Sequence, residues 1–169
     1  LNVFWTGSTF IASGVEGVAL TSTDGSTWTL RSSGSTAELY AGVFGGSTAI
    51  VLGENGTVLT TSDGSAWTLR SSGPREELHA AVNTGTLWAS VGDAGTLITS
   101  ATGAAWSSAT SNVTGDLHGI AWSGSKLVAV GEAGLTISSS DGSTWTTGAA
   151  ATTRVLHSVA ANPSTFVAV

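Results

Sequence analysis

The chain lacks several residue types, and each absence narrows what the protein can be. None of its 169 residues is cysteine, which excludes disulfides and thiolate metal sites. No apolar run approaches the roughly 18 residues that a membrane-spanning helix needs, so we expect no membrane insertion. Only 9% of the residues are charged, and the net charge of -6 disfavours a nucleic-acid partner because it repels phosphate backbones.

Methionine is also absent, even at position 1, and proline occurs only twice. The missing methionine suggests that the chain is a processed or excised piece of a longer array. What the sequence does contain is small and polar: 23 glycines, with many serines and threonines. Strong helix formers other than alanine are scarce, so the composition favours strands and tight turns over helices.

A repeat of 39 residues runs through the whole sequence. A fixed period of about 20–50 residues indicates a solenoid, a propeller or another array. Four copies account for most of the chain, and the last residues restart a fifth. The positions that keep this step are Trp28, Trp67, Trp106 and Trp145; Gly14, Gly53, Gly92 and Gly131; and Leu39, Leu78, Leu117 and Leu156.

Each copy reads as four short strands separated by turns. In the second copy the predicted strands are 40–44, 49–52, 57–61 and 67–70, and glycines at 53 and 56 bound a tight hairpin turn. Four strands in 39 residues describe a propeller blade. We therefore predict an all-β propeller over residues 1–169, with repeats at about 1–38, 39–77, 78–116 and 117–155 and two strands of a fifth at 156–169. A β-solenoid is the alternative.

The turn between the third and fourth strands carries a recognisable motif. Its best copies read Ser-x-Asp-Gly-x-Thr-Trp, as at 139–145. This motif resembles the Asp-box of sialidase-like propellers, although it is one residue shorter. The whole unit is most similar to the repeats of the photosystem II assembly factor family, and the resemblance covers nearly the entire chain. It implies a propeller fold and says little about function, since such repeats serve many roles.

The repeated aspartates and tryptophans are interpreted as structural. An aspartate before glycine accepts backbone N–H bonds within its own turn, and an indole fills a large apolar volume. The copy at 100–106 replaces the aspartate with Thr102, which a catalytic set could not tolerate. A second set of acids, Glu54, Asp93 and Glu132, is interpreted as solvated turn acids. The residues given a structural role are Asp24, Asp63 and Asp141, with Trp28, Trp67, Trp106 and Trp145.

The joints between blades carry the most informative pattern. An acid, a leucine and a ring residue recur there, and in an extended chain the acid and the ring lie on one face. We predict that each joint leads into the innermost strand of the next blade, near the mouth of the central channel. Our hypothesis is that the acids and rings there bind a sugar, a metal ion or a partner side chain. The alternative is that they only fill each joint. The residues are Glu38, Glu77 and Asp116 with Tyr40, His79, His118 and His157.

Arg75 lies in the most charged joint, residues 74–77, which breaks the symmetry of the repeat. Asymmetric loops of repeat proteins often carry binding, so Arg75 is added to the candidate ligand-binding residues. A local ion pair on a solvated loop is the other interpretation.

The enzyme alternative is a sialidase-like or other glycoside hydrolase propeller. Glycosidases use two carboxylates about 5–9.5 Å apart, and sialidases resemble one another in an arginine cluster and a tyrosine nucleophile. Here Arg31 and Arg70 are repeat-equivalent, so they belong to different blades, and Tyr40 is the only tyrosine. The pattern is not met, and no catalytic residue is assigned.

We therefore expect a non-catalytic interaction propeller with a protein or glycan partner, without a metal or other cofactor. A purely structural spacer is a second alternative. The low charge and the abundant serine and threonine suggest a secreted or cell-surface setting. An unclosed array leaves strand edges exposed, so we expect either that the chain is part of a larger ring or that it self-associates with another chain to close one.

Overall fold

The computed structural model describes residues 2–169, which form 18 strands and four one-turn 3-10 helices. Nowhere in this described part is a helix both long and apolar enough to cross a membrane. The strands of the first two sheets are β1 (Asn2–Trp5), β2 (Phe10–Ser13), β3 (Val18–Ser22), β4 (Thr29–Ser32), β5 (Leu39–Gly45), β6 (Thr48–Gly53), β7 (Val58–Thr61) and β8 (Thr68–Arg70).

The later strands follow the same order. They are β9 (Leu78–Asn83), β10 (Trp88–Gly92), β11 (Leu97–Ser100), β12 (Ser107–Ser108), β13 (Leu117–Trp122), β14 (Leu127–Gly131), β15 (Thr136–Ser139), β16 (Thr146–Thr147), β17 (Val159–Ala161) and β18 (Phe166–Ala168). The 3-10 helices are Val15–Gly17, Glu54–Gly56, Asp93–Gly95 and Glu132–Gly134, each between the second and third strands of a sheet.

Every four strands form one antiparallel meander, and β17 and β18 form a two-stranded hairpin. Strands are paired only with their neighbours in sequence, and no strand crosses between sheets. The first strands β5, β9, β13 and β17 lie beside one another from sheet to sheet, as innermost strands do around a propeller axis. The predicted propeller of four blades plus two strands is confirmed, and the solenoid alternative is wrong.

Successive blades bury their faces against each other. Phe4 of the first blade packs on Leu39, Val51 and Leu59 of the second, and it occupies the space that a side chain at Gly42 would need. The next two junctions have larger core clusters. The cluster between the second and third blades includes Ile50 and Ile98, and the cluster between the third and fourth blades includes Leu117 and Leu127. A sheet with two apolar faces is stable only when neighbours cover both, so the blades depend on one another.

The Asp-Gly turns at the end of each third strand are held by their own side chains. Asp141 Oδ1 accepts backbone N–H bonds from Ser143 and Thr144, and Ser139 Oγ accepts one from Gly142. The backbone N–H of Thr144, followed by that of Ser143, holds the pKa of Asp141 well below its usual range. The resulting stabilisation is present above about pH 4 and is lost as the pH falls below it.

The copy without aspartate keeps the same turn. Ser100 Oγ still accepts the Gly103 N–H at 2.8 Å, and Thr102 Oγ1 accepts the Ala104 N–H at 3.3 Å. The indole N–H of Trp106 donates to the Gly103 carbonyl, as the tryptophans of the other three turns do to their own glycines. In the second copy Thr61 Oγ1 accepts the equivalent bond from Gly64, so the turn needs a hydroxyl, the glycine and the tryptophan more than it needs the aspartate.

The four tryptophans differ in how much of the indole is covered. Trp106 and Trp145 are buried, and each belongs to a core cluster that includes residues of the preceding blade. Trp67 is half-buried, and Trp28 is 37% exposed. The difference follows from position, because within residues 2–169 no sheet precedes the first blade. Trp67, Trp106 and Trp145 pack into the clusters at the blade junctions, whereas Trp28 packs on Phe10 of its own blade and stays partly exposed.

We predict that Trp145→Ala lowers the free energy of unfolding by about 3–5 kcal/mol, because it opens a cavity at a blade junction. Trp28→Ala, which removes the same side chain from the equivalent turn, should cost about 1–2 kcal/mol, because only part of its apolar area is withdrawn from water. Urea denaturation followed by far-UV circular dichroism measures both. Equal losses would contradict the blade-junction role.

Candidate binding site at the blade joints

The joints and the 3-10 helices lie at the same end of every blade. The first strand of a blade starts there, and the second strand ends there, as the pairing of Leu78 with Gly92 shows. We call this side of the propeller the joint face. The chain has 11 carboxylates, and all but the three in the Asp-Gly turns lie on the joints or the 3-10 helices. These are Glu16, Glu38, Glu54, Glu76, Glu77, Asp93, Asp116 and Glu132.

Four ring side chains stand in line across the joint face, and we call them the aromatic row. The ring centroids are 5.8 Å apart for Tyr40 and His79, 5.3 Å for His79 and His118, and 5.7 Å for His118 and His157. The counterpart of Tyr40 in the first copy is residue 1, which lies outside the described residues. The predicted ring residues are thus brought together, with His157 exposed at one end of the row.

A β-bulge aims three of the four members of the aromatic row. In three blades the pairing of the first and second strands shifts by one residue, and Tyr40, His79 and His118 are the residues skipped. A bulge leaves its extra residue unpaired and redirects its side chain, often beside a functional site. The leucines that precede these residues remain fully buried. The rings therefore line the surface while the leucines anchor the strands in the core.

A backbone contact at each joint brings two acids side by side. The Asp93 N–H donates to the Glu77 carbonyl at 3.0 Å, and the Glu54–Glu38 and Glu132–Asp116 pairs repeat this bond. A Cβ at Gly92 would overlap that same carbonyl oxygen, so only glycine fits there. Its backbone is extended, as is that of Gly53. Close approach of the Glu38 carbonyl, rather than a positive φ, therefore requires glycine at Gly53, whereas Gly56 of the same turn adopts a φ of 67°.

The acid side chains of two joints are occupied by backbone groups. Glu54 Oε2 accepts the Glu38 N–H, and Glu132 Oε2 accepts the Asp116 N–H, both at 3.2 Å. Asp116 Oδ1 also accepts the Ala94 N–H at 2.8 Å. Such bonds hold the carboxylates in place and reduce their capacity to bind anything else.

The middle joint differs, because its turn acid is Asp93, one methylene shorter than Glu54 and Glu132. Asp93 Oδ1 lies 2.6 Å from His79 Nε2. This is the only ion pair within the described part of the chain when His79 is protonated. Asp93, which the repeat pattern predicts to be a solvated turn acid, is instead the partner of His79 in the structure. Its shorter side chain was the signal that could have indicated the difference.

Tyr40 is half-buried beside the acids of two joints. Burial raises the pKa of its phenol to about 12, with Glu77 and Glu38 adding to the increase because they repel a phenolate. Tyr40 therefore stays protonated throughout the neutral range and can donate a hydrogen bond. Glu77 is half-buried, whereas Glu38 is exposed.

Arg75 is not part of this arrangement. Its side chain is exposed and forms no ion pair within residues 2–169, and its backbone N–H donates to Glu76 Oε2 at 3.0 Å. It lines a groove with Asn55, Arg70 and Pro74 that contains no member of the aromatic row. Arg75 is thus the one predicted ligand-binding residue that this geometry does not connect with the others.

Comparisons with known proteins define the fold. Neither a protein-family model nor a curated protein matches the chain. The chain is similar to the solved structure of YCF48 bound to a D1 peptide, with a TM-score of 0.73 and 20% identity, covering 94% of this chain and 56% of that one. It is also similar to YCF48 from Cyanidioschyzon merolae, with a TM-score of 0.71 and 17% identity, covering 94% and 58%.

The chain thus spans a little over half the length of these two structures. At such low identity the likeness establishes the fold alone. YCF48 is a photosystem II assembly factor with a propeller fold. The similarity of the repeats to those of the photosystem II assembly factor family is therefore supported. The Asp-box assignment has no matching family model behind it.

The predicted secreted or cell-surface setting is wrong. It was inferred from low charge and from the abundance of serine and threonine. The two similar solved structures described above are YCF48 proteins rather than proteins of a cell surface or a secreted particle. The composition indicates a surface with few charged residues, and such a surface is not specific to one cellular compartment.

We expect Tyr40 to ionise near pH 12 in the folded chain, which ultraviolet absorbance reports cleanly because the chain has one tyrosine. The raised pKa contributes stability that is fully present below pH 10 and is lost as the pH rises towards 12. Glu77→Gln should lower the pKa of Tyr40 without restoring the usual tyrosine value of 10.0, because burial is the larger cause. An unchanged pKa in that variant would show that Glu77 does not act on Tyr40.

Proposed function

We propose that this chain is a non-catalytic propeller scaffold that binds an extended segment of a partner protein on its joint face. The observation that carries the proposal is the aromatic row flanked by carboxylates. The similar YCF48 structure with a bound D1 peptide supports a peptide partner for this fold. That likeness concerns the fold, so the site itself is argued from this chain's own residues.

The joint face suits a segment that carries arginine or lysine. A guanidinium group can lie against an aromatic ring and at the same time pair with a carboxylate. Tyr40 and His79 offer rings, and Glu38 and Glu77 offer carboxylates beside them. The net charge of -6 also favours the approach of a basic segment. Successive blades present this combination at regular intervals, so several weak contacts would add along one strand of the partner.

A non-catalytic role agrees with how the acids are held. Glu54, Glu132 and Asp116 accept backbone N–H bonds, which fit them to support the joints rather than to transfer protons. A glycoside hydrolase is the alternative, and a glycan that binds without being cleaved is another. A purely structural spacer would bind neither. These possibilities differ in outcome when peptides and glycans are tested together.

We predict that a peptide of alternating glycine and arginine binds the chain and that its glutamate counterpart does not. His79→Ala with His118→Ala should weaken binding by about 10-fold, because both rings are lost from the surface that the segment covers. Glu38→Gln should weaken it by up to about 5-fold, as expected for an exposed charge pair. Fluorescence polarisation at two salt concentrations measures both effects.

Glu16→Gln is the matched control, because Glu16 is an exposed joint-face acid in a blade whose row position lies outside the described residues. It should leave the affinity almost unchanged. Equal binding of both peptides, or no effect of the histidine changes, would remove the proposal. A parallel glycan panel scored for binding and cleavage separates the alternatives: turnover would establish an enzyme, and binding alone would favour a glycan partner.

A second proposal concerns self-association, and a different surface supports it. The face of the first blade that points away from the second blade exposes four apolar side chains: Val3, Trp5, Val18 and Trp28. In the second blade the same face is covered by Phe4 of the first. At the other end of the array, Val167 and Val169 are exposed on the face that would meet a following blade. These two faces have the chemistry of a blade junction, so a second copy of the chain can stack head to tail.

We expect native mass measurements to show a concentration-dependent oligomer that Val3→Glu disrupts. Val3 is 60% exposed on the open face, so a charge there adds little strain to the monomer but blocks the junction. Leu69→Glu is the control, because Leu69 is 64% exposed on the outermost strand of the second blade. A monomer at all concentrations would contradict self-association, as would equal sensitivity to both changes.

A further inference from the structure

The middle joint gathers three metal-binding side chains of two chemical types. Glu77, His79 and Asp93 each place one ligand atom within 4.8 Å of the other two, and all three side chains are half-buried. They come from the joint, the bulge and the 3-10 helix, which the Asp93 N–H to Glu77 carbonyl bond ties together. The three groups are therefore held close by the backbone rather than by chance surface contact.

The equivalent positions of the next blade show that having these three residue types is not enough to form such a cluster. Asp116, His118 and Glu132 contain the same three residue types, with the aspartate and the glutamate exchanged. There both carboxylates accept backbone N–H bonds. In the middle joint neither Glu77 nor Asp93 accepts such a bond from any of the described residues. The exchange of one methylene thus leaves two carboxylates without backbone hydrogen bonds beside one imidazole, with Asp93 Oδ1 at 2.6 Å from His79 Nε2.

We propose that Glu77, His79 and Asp93 form a binding site for a divalent first-row transition metal ion, with Zn²⁺ as the best match. Zn²⁺ readily combines imidazole nitrogen with carboxylate oxygen, and two carboxylates balance its charge. Ca²⁺ and Mg²⁺ prefer all-oxygen shells, so the imidazole disfavours them. Three protein ligands leave a fourth tetrahedral position open on the joint face for water or for a donor atom of a partner.

The geometry needs only a small adjustment to accept the ion. His79 Nε2 and Asp93 Oδ1 lie 2.6 Å apart, whereas two ligands bonded at about 2.0–2.1 Å around a tetrahedral zinc lie roughly 3.3 Å apart. The pair must open by less than about 1 Å, and His79 must bind the ion through an unprotonated Nε2. The ion then lies between these two atoms, and the Glu77 carboxylate supplies the third ligand.

Zn²⁺ titration of the full chain by isothermal calorimetry tests the site. We expect one saturable site per chain, with binding weakened at least 10-fold by His79→Ala and by Asp93→Asn. Asp93→Asn keeps the size of the side chain, so it tests the ligand without removing the turn. His118→Ala and Glu132→Gln, at the equivalent positions of the next blade, should bind Zn²⁺ as the unchanged chain does.

A second measurement identifies the ligand directly. The chain has three histidines, so imidazole nitrogen resonances in an NMR spectrum can be assigned with single variants. Zn²⁺ should move the Nε2 resonance of His79 far more than those of His118 and His157. No saturable Zn²⁺ binding would overturn the proposal. So would equal losses in the His79 and His118 variants, since the ion would then be bound by the aromatic row. Arginine-peptide binding by metal-free chain is unaffected by either result, so the two proposals fail separately.

Discussion

One backbone contact at each joint holds together the candidate binding site of this molecule. The chain leaves the outer strand of one blade and passes over the end of the next, where a 3-10 helix N–H donates to the carbonyl of the joint acid. Glycine is required at the crossing because a Cβ would overlap that carbonyl. With this contact in place, the first strand must absorb an extra residue, and a bulge forms at Tyr40, His79 and His118.

The consequence is a surface built by repetition. Each bulge turns a ring outward at the same height of its blade, and neighbouring blades bring consecutive rings to 5.3–5.8 Å. The same contact places two acids at each ring, one on the joint and one on the 3-10 helix. No single blade could form such a row. Stacking of the blades is therefore part of the site as well as the source of the core.

Differences between the copies then decide the chemistry at each joint. Glu54 and Glu132 are long enough to reach a backbone N–H, whereas Asp93 is shorter and pairs with His79 instead. The repeat also tolerates the loss of an aspartate from an Asp-Gly turn. Thr102 replaces the aspartate in the third copy, and the turn keeps the hydrogen bonds made by Ser100 and Trp106. A repeated scaffold thus lets one joint acquire its own chemistry without disturbing its neighbours.

The sequence by itself determined the period, the four strands of each copy and the propeller, because turns and hydrophobic alternation are local properties written into every repeat. It also located the ring residues of the joints. Only the tertiary structure decided that bulges aim those rings, that Asp93 rather than a joint acid is the partner of His79, and that Arg75 lies apart. It also decided that Trp28 is exposed while Trp145 is buried, although the two occupy the same place in the repeat. These outcomes depend on which blade lies next to each residue and on side-chain reach across a joint, and neither is encoded within one 39-residue copy.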